Sequence, residues 1–166
     1  MIQIHQDWKE LLNLLTSENV DYLIIGGVAV AYHSVPRYTG GLDILVRPSL
    51  ENGERVVKAL DRFGFGNLQI DPRAFTLADQ MLSLGNEPLR VELFTSIPGV
   101  SFDDAWPRRA DVVLDGVLTH FISREDLIAG KKADPLLLWL NLDTVGLDPS
   151  SWTDMAAPHV GIDPNT

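Results

Sequence analysis

Between residues 7 and 19 apolar side chains return every three or four positions, at Trp8, Leu11, Leu12 and Leu15, and that spacing predicts an amphipathic helix. An unbroken apolar run at 22–25 follows and stops at Gly26-Gly27, as a buried strand ending in a tight turn does. Residues 28–33 read as a short helix rising from the glycines. It ends before Pro36, because the residue ahead of a proline is pushed out of the helical region. A second strand is expected at 42–46. A third helix is expected from Ser49 through Val56, Val57 and Leu60 to near Phe63, closed by Gly64 and Gly66.

Beyond Pro72 the apolar segments shorten and begin to pair. "QMLSLG" and "LRVELF" flank Gly85-Asn86-Glu87-Pro88 and read as an antiparallel hairpin. A short helix at 101–109, interrupted by Pro107, leads to "DVVLDG" and "VLTHFI". These two segments meet at Asp115-Gly116, a strong two-residue hairpin signal. Ser123, followed by an acid three places later, opens a helix over "EDLIAGKKA". From 146 to 166 the chain carries Pro149, Pro158 and Pro164 with no apolar period, and an irregular tail is expected there. The order of elements predicts an α/β (α+β) fold with one mixed β-sheet and helices packed mainly on one side. The domain is expected at 1–145, with the tail at 146–166.

Composition narrows this picture only slightly. At 166 residues the chain suits one domain with a proper core. Acidic residues outnumber basic ones 23 to 13, a formal charge of −10, which argues against a general grip on a nucleic-acid backbone. A nucleic-acid partner would have to be met locally. With no cysteine, disulfides, thiolate zinc sites and cysteine nucleophiles are excluded. The start, "MIQIHQDWKELLNLL", does not read as a signal peptide. No apolar run approaches the roughly 18 residues of a membrane span. A cytoplasmic protein without membrane association is expected.

The candidate chemistry begins at the glycines. Between a strand and a helix, Gly26 and Gly27 let a backbone approach a phosphate closely, and the following helix offers free N–H groups. Downstream, Arg37 and Thr39 are plausible phosphate or capping contacts. Asp43 then stands inside an apolar strand, and Glu92 stands between Val91 and Leu93. Taken singly, Asp43 reads as a strand-end aspartate paired with Arg37, Arg47 or Arg90, and Glu92 as an edge-strand charge facing water. Taken together, two strand carboxylates on facing positions suit a shared divalent cation with a nucleoside triphosphate. His5, His33, His120 and His159 lack the spacing of a zinc site. Ser34, Ser96 and Ser123 lack the setting of a hydrolase nucleophile.

These segments carry a resemblance. "YLIIGGVAVAYHSVPRYTGGLDILV", "RVELFTSIPGVSFDDAW" and "FISREDLIAGKKA" together resemble the small bacterial nucleotidyltransferase-fold proteins related to abortive-infection and toxin–antitoxin modules. The resemblance implies that Gly26 and Gly27 form the phosphate turn, and that Asp43 and Glu92 are catalytic acids holding Mg²⁺ or Mn²⁺. The substrate would be an NTP, whose nucleoside monophosphate passes to a hydroxyl on a protein, an RNA end or a small molecule. Gly41 stands where the family has its first acid, which implies impaired transfer. The alternative is a non-catalytic module of a toxin–antitoxin-like system that binds a nucleotide or a partner protein. Lys131 and Lys132 are within plausible reach of a triphosphate, although a helix end favours solvated lysines. Beyond Lys132, Pro135 and the apolar residues after it depart from the family pattern, so the last helix is expected to be shortened or replaced.

Overall fold

The computed structural model describes residues 4–34 and 40–133. Arg37, Thr39, His159, the chain beyond the last helix, the tail at 146–166 and the proposed boundary at 145 lie outside the described residues.

Helix α1 (Gln6–Ser17) buries Trp8, Leu11, Leu12 and Leu15, the four positions that set its period. Its start is capped by His5, whose Nδ1 accepts the Asp7 backbone N–H at 3.0 Å. Strand β1 (Tyr22–Ile25) runs straight into α2 (Gly26–His33), then come β2 (Gly41–Val46) and α3 (Leu50–Leu60). Helix α2 starts at Gly26 itself, two residues earlier than the sequence suggests. The glycine pair supplies the first turn of the helix instead of preceding it. Ser49 caps α3 by accepting the Asn52 N–H at 3.2 Å. The chain continues as a wider turn and kinks at Gly64, where φ is 115°.

Strands β3 (Met81–Leu84) and β4 (Arg90–Phe94) form the expected hairpin, and α4 (Phe102–Ala105) follows. Strands β5 (Ala110–Leu114) and β6 (Val117–Phe121) pair through Asp115 and Gly116, at φ 48° and 83°. Two successive positive φ values are what a two-residue hairpin loop needs to match the strand twist. Helix α5 (Arg124–Ala133) closes the described chain.

Among the described residues the sheet has six strands in the order β3-β4-β2-β1-β6-β5. β1 pairs antiparallel with β2 and parallel with β6, while β2 pairs parallel with β4. The mixed α/β class follows from this arrangement, as the element order predicts. Every residue of β1 is buried, as is every residue of β2 except Asp43, so the sheet centre is covered on both faces. Leu11, Leu12 and Leu15 are wholly inaccessible, and each contributes roughly 2 kcal/mol of burial. Asn52, buried on α3, ties the β1 entrance to the β2 exit. Its Oδ1 accepts Asp21 N–H at 2.8 Å, and its Nδ2 donates to the carbonyls of Asp21 and Arg47 at 3.0 and 3.1 Å. A buried amide satisfied in this way fixes register without an unpaired polar group.

Candidate functional site

Asp43 is the third residue of β2, flanked by the buried Leu42 and Ile44. On one side it stands opposite Ile25, the last residue of β1, and on the other it is in register with Glu92 of β4. Register partners point to the same face and lie about 4.8 Å apart at the backbone, so the two carboxylates are neighbours. β4 lies between β3 and β2, so Glu92 is an interior position and the edge-strand reading does not hold. The arginines divide differently from the single-residue expectation. Arg47 pairs with Asp21 at 2.7 Å and with Asp103, whereas Arg90 Nε lies 3.9 Å from Glu92 Oε1.

Proximity to Glu92 has an electrostatic consequence. The Asp43 carboxyl is pushed up from 3.8 to about 7, first by burial, then by the negative charge of Glu92 and a hydrogen bond with it. Lys131 and Arg90 pull in the opposite direction. Without a cation the pair therefore holds a proton near neutral pH, as two close carboxylates must.

Gly26 sits directly against this pair. Its φ is +66°, and a side chain there would collide with the Asp43 carboxylate, its β-carbon only 3.0 Å from Asp43 Cβ and Cγ. Glycine is thus required both by the backbone and by the space Asp43 occupies. Gly27 is buried in the first turn of α2. Gly41 is also sterically constrained. A β-carbon there would stand 2.8 Å from the Arg90 carbonyl oxygen. The position expected to carry the first acid is one where the β4 backbone comes too close for any side chain without a shift.

Beside the pair opens a cleft of about 300 Å³ lined by Ile25, Gly26, Phe94, Ile97, Leu127 and Lys131, among others. Lys131 differs from its sequence reading. It follows the buried Leu127 by one helical turn, so it shares that inward face and is half-buried, while Lys132 is exposed. The signal that finds it is the i, i+4 spacing to Leu127. The described histidines take structural roles: His5 caps α1, His33 Nε2 lies 2.6 Å from Ile122 O, and His120 Nδ1 lies 2.6 Å from Asp111 Oδ1.

Among the described residues no group of three or more His, Asp or Glu side chains is placed to hold a metal ion. Two adjacent carboxylates still fit Mg²⁺ in one mode, where one or two carboxylates share the ion with water and substrate phosphates. Fold and site together define a mixed α/β protein with a half-buried carboxylate pair against Gly26, which lines a cleft that also contains a lysine. The chain matches no family model and no curated protein. No helix among the described residues is long and apolar enough to cross a membrane.

Proposed function

We propose that this protein is a divalent-cation-dependent nucleotidyltransferase of the cytoplasm, moving a nucleoside monophosphate from an NTP to a hydroxyl. The observation that carries the reading is the Asp43–Glu92 pair, in register on adjacent parallel strands beside the Gly26 turn. A divalent cation bound there supplies Lewis-acid charge to the reacting phosphate. Asp43 and Glu92 hold it as carboxylates. Lys131 brings positive charge to the same cleft, where it offsets phosphate charge, and the start of α2 offers backbone N–H groups. Arg90 Nε, 3.9 Å from Glu92 Oε1, adds positive charge beside the pair without a hydrogen bond to it.

A second reading has its own support. The close approach of the Arg90 carbonyl to Gly41 favours a site that never carries a third acid. Such a site would bind a nucleotide, or serve a protein partner in a toxin–antitoxin-like pair, without transfer. Incubation with α-labelled NTPs and Mn²⁺ separates the two. For the enzyme, pyrophosphate release and label transfer fall at least about 10²-fold in Asp43→Asn and Glu92→Gln. Nucleotide binding by wild type with no pyrophosphate released selects the binding module. Transfer that persists undiminished in Asp43→Asn overturns the site.

A further inference from the structure

The cleft has two chemically different ends. Lys131, close enough to act on Asp43, marks the end where phosphates belong. Along β4, residues alternate so that Phe94 shares a face with Glu92, and Ser96 follows two residues later, just past the end of the strand. The chain from Glu92 to Ser96, of which β4 covers the part to Phe94, spans at most about 13 Å, room on the order of that from a reacting phosphate to the far edge of its nucleobase. The walls along this path are apolar: Phe94, Ile97, Pro98 and Leu127.

Ser96 supplies a polar atom in that stretch, and its hydrogen bonds are already assigned. The hydroxyl donates to Asp79 Oδ1 at 3.0 Å, and Ser96 Oγ accepts the Asp79 backbone N–H at 2.8 Å. The hairpin does not depend on this pair. Its end is also fastened by Gln80 N–H to Thr95 Oγ1 at 3.0 Å and by Thr95 N–H to Gln80 O at 3.1 Å. Asp79 is nevertheless held at φ 57°, a left-handed conformation that costs a non-glycine residue energy. A serine oxygen has one proton and two lone pairs. With its proton directed to Asp79 and one lone pair taken by the backbone, Ser96 Oγ keeps one lone pair with which to accept from a ligand.

Resting on the nucleotide reading of the cleft, we propose that it selects a nucleobase with its amine at purine C6 or pyrimidine C4, adenine or cytosine. The ring lies against Phe94 and Leu127, and the amine donates to Ser96 Oγ. Inosine and uracil present a carbonyl oxygen at the corresponding place, where it would face an acceptor with no proton to share. A site built to receive a donor rejects the analogue that lacks it.

The test measures binding of ATP, ITP, CTP and UTP to the full chain with Mn²⁺, by calorimetry. Each amine-bearing nucleotide should bind about tenfold or more tightly than its carbonyl counterpart. Ser96→Ala should reduce that ratio to about threefold or less. Asp79→Ala frees the serine proton to donate, so ITP and UTP should gain affinity while ATP and CTP do not. That response separates hydrogen-bond direction from simple packing. Equal binding of ATP and ITP by wild type, or discrimination that survives Ser96→Ala, overturns this inference and leaves the carboxylate site standing. Failure of all four and of GTP to bind overturns both.

Discussion

Asp43 carries a proton that the unfolded chain would have released. Burial and Glu92 hold its carboxyl at about 7 against 3.8, so between those values the native state binds more protons and stability falls as pH rises. Metal-free protein should therefore be more stable near pH 5 than near pH 8, and Asp43→Asn should flatten the profile. At about pH 8 that variant should gain on the order of 2 kcal/mol, allowing for solvent screening of a partly exposed group. Thermal denaturation across pH checks both statements. Mn²⁺ should reverse the trend in wild type, because a bound cation needs the carboxylates ionised: the rise in Tm should be larger near pH 8 than near pH 5. At Gly41 the approach of the Arg90 carbonyl makes Gly41→Ala destabilising by about 1–3 kcal/mol in urea titration. Gly41→Asp should be no milder, so it is not a route to a better metal site. Asp43 and Glu92 were legible in the sequence as acids in apolar strands. The crowding at Gly41 was not, because it depends on where another strand's carbonyl comes to rest.

Helix α5 brings Lys131 to the cleft, and its first turn fixes the position. Asp126, buried at the third position, receives Arg108 Nε and Nη2 at 3.0 and 2.7 Å, and Ser123 Oγ donates to it at 2.9 Å. Its backbone N–H in turn donates to Ser123 Oγ at 3.1 Å. The pairing also holds the Arg108 guanidinium above its ordinary range, through a hydrogen bond and the carboxylate charge. Asp126→Ala should cost about 2–3 kcal/mol, since it removes the cap interaction and leaves a half-exposed arginine without its partner. Cation-dependent transfer should fall with it, because Lys131 rides on the same helix. Denaturation and pyrophosphate release measured on one preparation check the pair of effects. The cap motif at Ser123 and the hairpin signal at Asp115-Gly116 are local, and for that reason the sequence betrays them. The parallel pairing of β2 with β4 has no local signature. Any apolar strand of the right length is a candidate neighbour until the sheet closes.

The whole chain carries a formal charge of −10, and the long-range field of an acidic protein repels the many phosphates of a nucleic-acid backbone. Binding to an unstructured RNA should accordingly be undetectable at about 0.15 M salt, the physiological ionic strength. Fluorescence anisotropy with a labelled oligonucleotide checks this. On the proposed transfer reading, this charge favours a protein or small-molecule hydroxyl as the acceptor. Length and composition foretold one ordinary core. They said nothing of Lys131 facing inward, which only its i, i+4 spacing from the buried Leu127 on α5 discloses.

Asp43 and Glu92 sit side by side although about fifty residues of chain separate them, and long-range contacts of that kind form late in folding. The segment that joins them includes α3, β3 and the start of β4, and β3 is the outermost strand on that side. Peeling the hairpin away would therefore part the two acids while α1, β1 and β2 stayed packed, an opening that costs less than global unfolding. The proposed transfer would then be lost before the fold is, and mild denaturant should abolish pyrophosphate release while most of the helical signal remains.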